Sequence, residues 1–365
     1  MTVAATPLPG PQIDVTKTPY DVRTLTATDI VEAGGATASL SANIGAVQLS
    51  DNLDDPFQPD LLYRGFEASP VMGTPQGLAV YQSGVRINEA FGDAVNWDLI
   101  PDDAVARIDV VGSNPVYGLN ALGGAVVISM KTGFDSPGGE ADLSGGSFGQ
   151  RAANISYGAH DDRYAAFVSL RASNDDGWRE FSADQVRQGY ADFAARGGRL
   201  SLDLSLTGAD NVLEGESATP VQELAVDRRL VFTSPQSTTN RLGFAVLTAA
   251  FQATPTLSLE ADAFGRTFDQ AVVNGNTTDY VACSVPALIG ELCQSDAATP
   301  LATAYGLPIP DLSLGGSRPI GEIDRQAVKT GSYGASLQAS STARLFGMGN
   351  QLTIGGSAGG ADIAF

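Results

Sequence analysis

The side chains that usually carry catalysis are scarce and scattered in this sequence. His160 is the only histidine, and its place beside the acidic pair Asp161–Asp162 favours a solvated loop residue over a base or a metal ligand. No Cys/His cluster has zinc spacing, and neither a Gly-x-Ser-x-Gly nucleophile elbow nor a phosphate-binding loop occurs. The acidic run Asp51–Asp55 lacks the alternate spacing and the glycine of an EF-hand loop, so we interpret it as a solvated turn. The sequence predicts neither an enzyme nor a protein with a cofactor or metal site.

The two cysteines are the remaining reactive side chains. Cys283 and Cys293 lie ten residues apart in a stretch rich in Pro, Ser and Ala. This spacing suits a small disulfide-closed loop in an oxidising compartment, and the alternative is a reduced pair in a cytosolic loop. The N-terminal sequence MTVAATPLPGPQIDV shows no basic segment followed by an apolar core. Either the protein is cytosolic or the chain begins after its signal.

Charge and hydropathy narrow the class of protein further. The chain of 365 residues has 41 acidic and 21 basic side chains, for a net charge of −20. Because binding to nucleic acid needs a basic face, nucleic acid is excluded as a partner. No segment approaches the ~20 consecutive apolar residues of a membrane-spanning helix. Mean hydropathy is nevertheless close to zero, so apolar and polar residues are finely interleaved, which predicts many β-strands.

The chain changes texture near residue 135. Before it, short apolar runs alternate with turns: Leu25–Ala33 predicts a helix capped by Thr28 or Asp29, while Ala104–Val111 and Ala125–Met130 predict buried strands. This first region is predicted to be a compact α+β domain. After it, long stretches alternate strictly, as in Leu200–Thr207, where leucines occupy one face and small polar residues the other.

Strand length and loop asymmetry in the second region are typical of a transmembrane β-barrel. The strands are predicted to be roughly 10 to 14 residues long, against ~5–6 in ordinary globular proteins. Short turns are predicted near residues 159–163, 196–198, 254–256 and 346–350, and longer excursions near 173–183, 210–237 and 273–330. A soluble all-β protein with long loops is the alternative. We count about nine strands, whereas closed bacterial barrels have an even number, so the barrel is predicted to be unfinished.

Several motifs of the first region resemble, in their order, the plug domain of TonB-dependent outer-membrane receptors. They are DLLYRGF at 60–66, GLAVYQSGVRINEAFGD at 77–93 and NWDLIPDDAVARIDVVGSNPVYGLNALGGAVVISMKTG at 96–133. The plug-motif residues are Arg64, Gly65, Arg107, Tyr117, Gly118, Gly123 and Gly124. The chain departs from the family at Gly112–Pro115, where the family often has Arg-Gly-Pro. For any single glycine, the alternative is that it only allows a turn and does not belong to a family motif.

The resemblance implies the fold and the domain boundaries. It implies an α+β plug domain followed by antiparallel transmembrane β-barrel strands, divided into a leader (1–20), a plug (21–135) and a partial barrel (136–365). Arg64 and Arg107 are expected among plug carboxylates and barrel-wall acids. Such buried ion pairs stabilise weakly and break when a partner shifts. The final residue, Phe365, is either a chance truncation point or the terminal aromatic residue of a barrel.

The resemblance also implies a ligand surface on the apical plug loops. The expected ligand-binding residues are Phe66, Met72, Asn88, Phe91, Asn96 and Trp97. For Phe66 and Trp97 the alternative is packing of the plug against the wall. The implied function is energy-coupled uptake of a scarce nutrient, such as an iron–siderophore or cobalamin-like complex, across the outer membrane of a Gram-negative bacterium. A surface barrel for adhesion without energy coupling and a soluble all-β enzyme are the alternatives.

The resemblance implies that energy from the inner-membrane proton gradient reaches the receptor through a periplasmic partner. The family carries a TonB box before the plug, and the segment Ile13, Asp14, Val15 and Thr16 resembles it loosely. Its extended, β-branched character would let it add as a strand to a partner's sheet edge. The alternative is that the box has been lost upstream. The implied partners are TonB with ExbB and ExbD, outer-membrane lipid and a small nutrient ligand.

Overall fold

The computed structural model describes residues 2–4, 6–8, 12–14, 18–215 and 218–365. In the first part of the chain the strands and helices are β1 (Thr2–Ala4), β2 (Gln12–Asp14), β3 (Val22–Thr26), α1 (Ala27–Ala33), α2 (Ala36–Asn43), β4 (Val47–Ser50), β5 (Asp60–Tyr63), β6 (Phe66–Ala68), β7 (Leu78–Gln82), β8 (Val85–Arg86), β9 (Val105–Gly112) and β10 (Gly124–Met130). We refer to residues 18–133 as the N-terminal domain.

The N-terminal domain is built on a five-stranded sheet with the order β3-β9-β10-β7-β8. Strand β10 is parallel to β7 and antiparallel to β9, while β4, β5 and β6 form a separate antiparallel sheet. The two strands predicted from Ala104–Val111 and Ala125–Met130 are confirmed as β9 and β10, and both are almost entirely buried. Leu40, Leu61 and Leu78 are fully buried in the core between the sheets and helices.

Helix α1 begins later than the sequence predicts. Thr26 is its N-cap, and a capping box joins Thr26 to Asp29: each backbone N–H donates to the other residue's side chain. Leu25 is paired into β3, so the helix starts at Ala27 and not at Leu25. The prediction of Thr28 or Asp29 as the cap was wrong, because both residues already lie in the first helical turn, where Asp29 is the third residue of the capping box. The helix ends at Gly34, whose φ of 84° is the left-handed conformation of a C-cap.

The second part of the chain forms a large antiparallel sheet, which we call the wall. Its nine strands follow one another as β11 (Gly138–Gly145), β12 (Arg151–His160), β13 (Tyr164–Asp175), β14 (Asp184–Gly197), β15 (Leu200–Leu213), β16 (Gln236–Thr254), β17 (Leu257–Thr277), β20 (Gly321–Ser341) and β21 (Leu352–Ala364). Between them lie α3 (Val221–Leu224) and the short pair β18 (Val281–Ala282) and β19 (Leu292–Cys293). Within the described residues β11 and β21 do not pair with each other, so the sheet is open.

The predicted strand count is confirmed, but the longest strands exceed the predicted length. Strands β16, β17 and β20 contain 19, 21 and 21 residues. The predicted excursion at 273–330 is shortened to 278–320, because Asn274–Thr277 continues to pair with Gly321–Asp324. These strand ends carry polar residues on both faces, so the alternation that identifies a half-buried strand is missing there.

The connections of the wall are asymmetric, as predicted. Turns of two or three residues at 161–163, 198–199 and 255–256 lie at one end, which we call the short-turn end. The connection 342–351 lies there too, but with ten residues it is longer than the turn predicted near 346–350. Loops at 176–183, 214–235 and 278–320 lie at the other, the long-loop end, together with the five-residue turn 146–150. A disulfide joins Cys283 to Cys293 within the longest loop. No helix in the described part of the chain is long and apolar enough to cross a membrane.

The two faces of the wall differ, and the N-terminal domain lies against one of them. Leu202 and Leu204 point outward and stay exposed, whereas Ser205 and Thr207 on the opposite face are buried. Aromatic side chains of this inner face, including Phe167 and Phe244, belong to the same apolar cluster as the core of the N-terminal domain. The domain is therefore held across the inner face of the wall.

Candidate functional site

Ion pairs join the wall to the N-terminal domain, and in the closest of them the wall supplies the arginine. Arg266 forms a bidentate pair with Glu89, at 2.7 Å from Nη1 to Oε2 and 2.6 Å from Nη2 to Oε1. Both side chains are buried. In two further, partly exposed pairs the arginine again comes from the second part of the chain and the aspartate from the N-terminal domain. They are Arg179 with Asp54 at 2.8 Å and Arg171 with Asp103 at 3.3 Å.

The arginines expected to face the wall instead pair inside the N-terminal domain. Arg64 lies 3.4 Å from Asp21, and Arg107 lies 2.9 Å from Asp109. The expected plug carboxylates are therefore present, but no barrel-wall acid is an ion-pair partner of either arginine among the described residues. The reason is local: Arg107 lies on β9, the central neighbour of β3 and β10, and its side chain reaches the next residue but one on its own strand.

A buried set of amide hydrogen bonds continues the contact between domain and wall; we call it the amide seam. Its centre is Asp98 of the N-terminal domain, whose carboxylate accepts from Asn211 Nδ2 at 2.8 Å and from Asn240 Nδ2 at 3.0 Å. Its main-chain oxygen accepts from Gln188 Nε2 at 2.6 Å. Burial raises the pKa of Asp98 to about 6, against the lowering effect of the two asparagine hydrogen bonds. The wall thus holds a buried acid with neutral donors instead of a cation.

The amide seam extends from Asp98 to the buried ion pair. Gln270 Nε2 donates to Asn240 Oδ1 at 3.0 Å and to Asn96 Oδ1 at 3.3 Å. Asn96 Nδ2 in turn donates to Glu89 Oε1 at 3.1 Å. Asp98, Asn96 and Glu89 are therefore linked to side chains of four wall strands, β14 to β17. Such an interface fixes the register of the two parts, yet each bond can be exchanged for water if the parts separate.

A cavity of about 270 Å³ lies above the amide seam, at the long-loop end. The loop of the N-terminal domain that follows β6 contributes Met72, and the wall contributes the upper parts of β16, β17 and β20. Gln326 Nε2 lies 3.2 Å from the Met72 sulfur across it. The full lining is Leu53, Gln58, Pro70, Val71, Met72, Gly215, Gln236, Ser237, Thr238, Gln270, Val272, Val273, Asn274 and Gln326. This arrangement can receive an organic molecule through hydrogen bonds and apolar contacts.

The ligand-binding residues expected from the sequence lie in different environments. Met72 lines the cavity. Phe66 is 38% exposed, and the Phe91 ring lies 4.8 Å from that of Phe365. Asn88 and Asn96 are buried. The structure therefore brings one of the six residues into the cavity.

The buried members of that set have partners within the N-terminal domain. Asn88 accepts from the Val80 N–H at 2.8 Å and donates to the Leu78 oxygen at 3.0 Å. Trp97 Nε1 donates to the Ala68 oxygen at 3.2 Å. These contacts position the loop between β8 and β9 against the core of the N-terminal domain itself.

The plug-motif glycines stand where the backbone comes close or turns. Gly65 and Arg64 both have positive φ, of 83° and 54°, in the two-residue turn between β5 and β6. A Cβ on Gly123 would lie 2.4 Å from the Cβ of Phe66, and one on Gly124 would lie 2.3 Å from the Val111 oxygen. These glycines allow β10 to begin directly against β9 and beneath Phe66.

Tyr117 and Gly118 shape the turn that leads towards β10. Tyr117 is buried, and its carbonyl oxygen accepts from the Tyr81 hydroxyl at 2.6 Å. Gly118 follows with a φ of 66°. Burial raises the pKa of Tyr117, so the phenol stays neutral. The two tyrosines hold this turn against the five-stranded sheet.

The leader lies partly outside the described residues. Ile13 and Asp14 belong to β2, which pairs with β1, whereas Val15 and Thr16 are outside the described residues. Thr6 Oγ1 donates to Gln338 Oε1 at 2.7 Å, three residues before β20 ends at the short-turn end. The leader therefore contacts the end of the wall opposite the cavity.

The wall residues of the site were not identified from the sequence. They are Arg171, Arg179, Gln188, Asn211, Asn240, Arg266, Gln270 and Gln326. Arg179 lies in the loop 176–183, and the others read on the sequence only as polar members of alternating strands. No local signal singled them out: the inward neighbours of Gln188 are Val186 and Tyr190, and those of Arg266 are Phe264 and Phe268.

Comparison with known proteins agrees with this geometry. Residues 14–125 match the family model of the TonB-dependent receptor plug domain. The structure is similar to the open form of the ferric-catecholate import receptor Fiu from E. coli K12, with 12% identity and a TM-score of 0.71 over 99% of this chain and 52% of that chain.

Two further solved structures show the same fold. The ferripyoverdine receptor of the outer membrane of Pseudomonas aeruginosa is 11% identical, with a TM-score of 0.66 over 99% of this chain and 44% of that chain. The ferric preacinetobactin receptor BauA from Acinetobacter baumannii is 10% identical, with a TM-score of 0.61 over 97% and 49%. The chain spans about half the length of these structures. No curated protein sequence matches it.

Proposed function

Since residues 14–125 are a TonB-dependent receptor plug domain and the whole chain has the fold of these receptors, we propose that the protein imports a scarce nutrient across an outer membrane by TonB-dependent energy coupling. The nutrient is a complex such as an iron–siderophore or a cobalamin-like molecule. The plug is the N-terminal domain, and the wall is part of the barrel. The division at residues 20 and 135 belongs to this proposal.

The observation that carries the proposal is that the cavity and the leader lie at opposite ends of the wall. The cavity lies at the long-loop end, and the leader contacts Gln338 near the short-turn end. Long loops of such barrels are extracellular and short turns are periplasmic. A ligand captured outside and a partner pulling from inside would therefore act on opposite ends of one plug.

The chemistry of release follows from the contacts between plug and wall. TonB, energised with ExbB and ExbD, would pull on the leader near Ile13–Thr16. The amide seam and the Arg266–Glu89 pair would then exchange their bonds for water, and the ligand would pass inward. No covalent bond of the ligand is made or broken. The exposed leucines of β15 would face outer-membrane lipid.

The test is ligand-limited uptake in a Gram-negative host that expresses the full-length protein. A panel of iron chelates and cobalamin is offered to cells with and without residues 10–20. We expect the deletion to abolish uptake while binding at the cell surface persists. A variant that replaces residues 10–20 by a Gly/Ser segment of equal length controls for the shortening and is expected to fail in the same way.

The same experiment separates the adhesive alternative. A barrel that binds without energy coupling would keep its binding and any function after the deletion. Unchanged uptake in both leader variants would contradict the proposed coupling segment, and loss of surface binding would show that the deletion had damaged the receptor.

A further inference from the structure

The cavity at the long-loop end has an unusual lining for a site that would hold an anion. Five of its side chains are amides: Gln58, Gln236, Gln270, Asn274 and Gln326. Each amide carries both a donor and an acceptor, so the set can form hydrogen bonds with both donor and acceptor groups of a ligand. None of the lining residues is charged.

Among the described residues beside the lining, the charged side chains are acidic, already paired or turned to the opposite face of the wall. Asp54 and Glu214 flank the lining residues Leu53 and Gly215. Arg179 is the nearby cation on the inner side, and it is bonded to Asp54, to Thr219 and to the Leu230 oxygen. Arg325 is exposed, and as the neighbour of Gln326 it points to the opposite face of β20.

Among the residues of this cavity that the structure describes, an anionic ligand would find neither a cation nor a favourable field. Proteins recognise carboxylates, phosphates and similar anions with Arg or Lys, whose charge-assisted hydrogen bonds are about twice as strong as neutral ones. The chain's net charge of −20 adds a repulsive potential at long range. Recognition by this cavity must therefore come from neutral hydrogen bonds and apolar contact.

One amide is held by a partner that a ligand can readily replace. Gln326 Nε2 faces the Met72 sulfur at 3.2 Å, and a thioether is a weak acceptor. A carbonyl or hydroxyl oxygen of a ligand would make a stronger bond in the same place. Pro70, Val71 and Val272 provide the apolar surface behind it.

From this lining we propose that the ligand is an uncharged organic molecule or neutral metal chelate, rich in amide or hydroxyl groups, and that Gln326 is one of the residues that select it. This inference rests on the proposed import function and names the class of its substrate. At about 270 Å³ the cavity is slightly below the ~300–1,000 Å³ of small-molecule sites, so it receives one end of the ligand.

The experiment measures equilibrium binding to the full-length protein in detergent micelles. The neutral probes are a ferric trihydroxamate, cyanocobalamin and a maltooligosaccharide, and the anionic probe is a ferric tris-catecholate of the same metal. We expect at least one neutral probe to bind about tenfold or more tightly than the tris-catecholate. Tighter binding of the tris-catecholate, or binding by none of the neutral probes, overturns the inference.

Charge variants at Gln326 decide the matter independently. For an uncharged ligand, Gln326→Glu and Gln326→Lys are both expected to weaken binding about tenfold, because each places a charge against a neutral group. For an anionic ligand, Gln326→Lys would tighten binding and Gln326→Glu would weaken it, which overturns the inference. Arg325→Gln, on the opposite face of the same strand, is the matched control and is expected to leave binding unchanged.

Uptake by energised cells separates this inference from the proposed function. Import of the tris-catecholate that depends on residues 10–20 would leave the import function standing and overturn the substrate class. Tight binding of a neutral probe without any energy-dependent import would leave the substrate class standing and overturn the import function. Circular dichroism of each variant confirms that the receptor is folded.

Discussion

At the scale of single residues, the position of the plug against the wall depends most directly on the ion pair between Arg266 and Glu89. Both side chains are almost fully buried, with two bonds between them. Removing one partner of a buried pair leaves the other charge uncompensated and costs about 3–5 kcal/mol, whereas replacing both is close to neutral. We therefore expect Glu89→Gln to lower the free energy of unfolding strongly, and the double variant Glu89→Gln, Arg266→Met to recover most of the loss.

Denaturant unfolding in micelles measures this coupling. The exposed pair between Arg229 and Asp227 is the matched control, and Arg229→Gln is expected to cause no measurable change because exposed ion pairs contribute little. Equal effects of Glu89→Gln and Arg229→Gln would show that the buried pair does not hold the plug.

Asp98 makes the stability of the protein depend on pH. Burial raises its pKa from an ordinary 3.8 to about 6 in the folded state. Below pH 4 the carboxyl is protonated in both states, so its contribution to stability is fully present. As pH rises from about 4 to about 6 the unfolded state loses the proton first, and this contribution is lost.

The variant Asp98→Asn tests this dependence. We expect it to flatten the fall in melting temperature between pH 4 and pH 6. The control is the same change at Asp162, in the exposed turn between β12 and β13, which is expected to leave the profile as it is. An unaltered profile in Asp98→Asn would mean that other groups cause the dependence.

At the scale of elements, the close approach of β9 and β10 depends on Gly124. Its φ is 146°, and a Cβ would lie 2.3 Å from the Val111 oxygen. Gly124→Ala must therefore shift one strand and is expected to cost about 1–3 kcal/mol of unfolding free energy. Gly45 has open space around it and no positive φ, so Gly45→Ala is the control. Equal denaturation midpoints for the two variants would contradict this role.

The elements also show what a sequence can predict here. Nine wall strands and the strands β9 and β10 were predicted because alternation and short β-branched runs are local signals. The ends of β17 and β20 were missed because their polar residues pair across the sheet without alternating. The partners of Asp98 were missed as well: Asn211 and Asn240 lie more than a hundred residues from it, and nothing local shows which inward amides meet a plug.

At the scale of the whole molecule, the plug has an apolar core of its own, and side chains of the wall pack against part of that core. Leu40, Leu61 and Leu78 are buried by the plug itself, while Phe167 and Phe244 of the wall complete the same cluster. We therefore expect residues 1–135 alone to fold with a cooperative transition, at lower stability than in the complete protein.

Carboxyl titration of the isolated plug by NMR would test how far the wall creates the electrostatics of the site. Asp98 would lose Gln188, Asn211 and Asn240 and gain water, so its pKa is expected to return towards its ordinary value. Asp109 is the internal control: burial within the plug's own sheet raises its pKa, and its partners Thr24 and Arg107 remain. If the pKa of Asp98 stayed near 6 in a folded plug, its burial would be a property of the plug alone. In that case the pKa of Asp98 would not change when the plug separates from the wall, because only a group buried between the two parts becomes exposed to water on their separation.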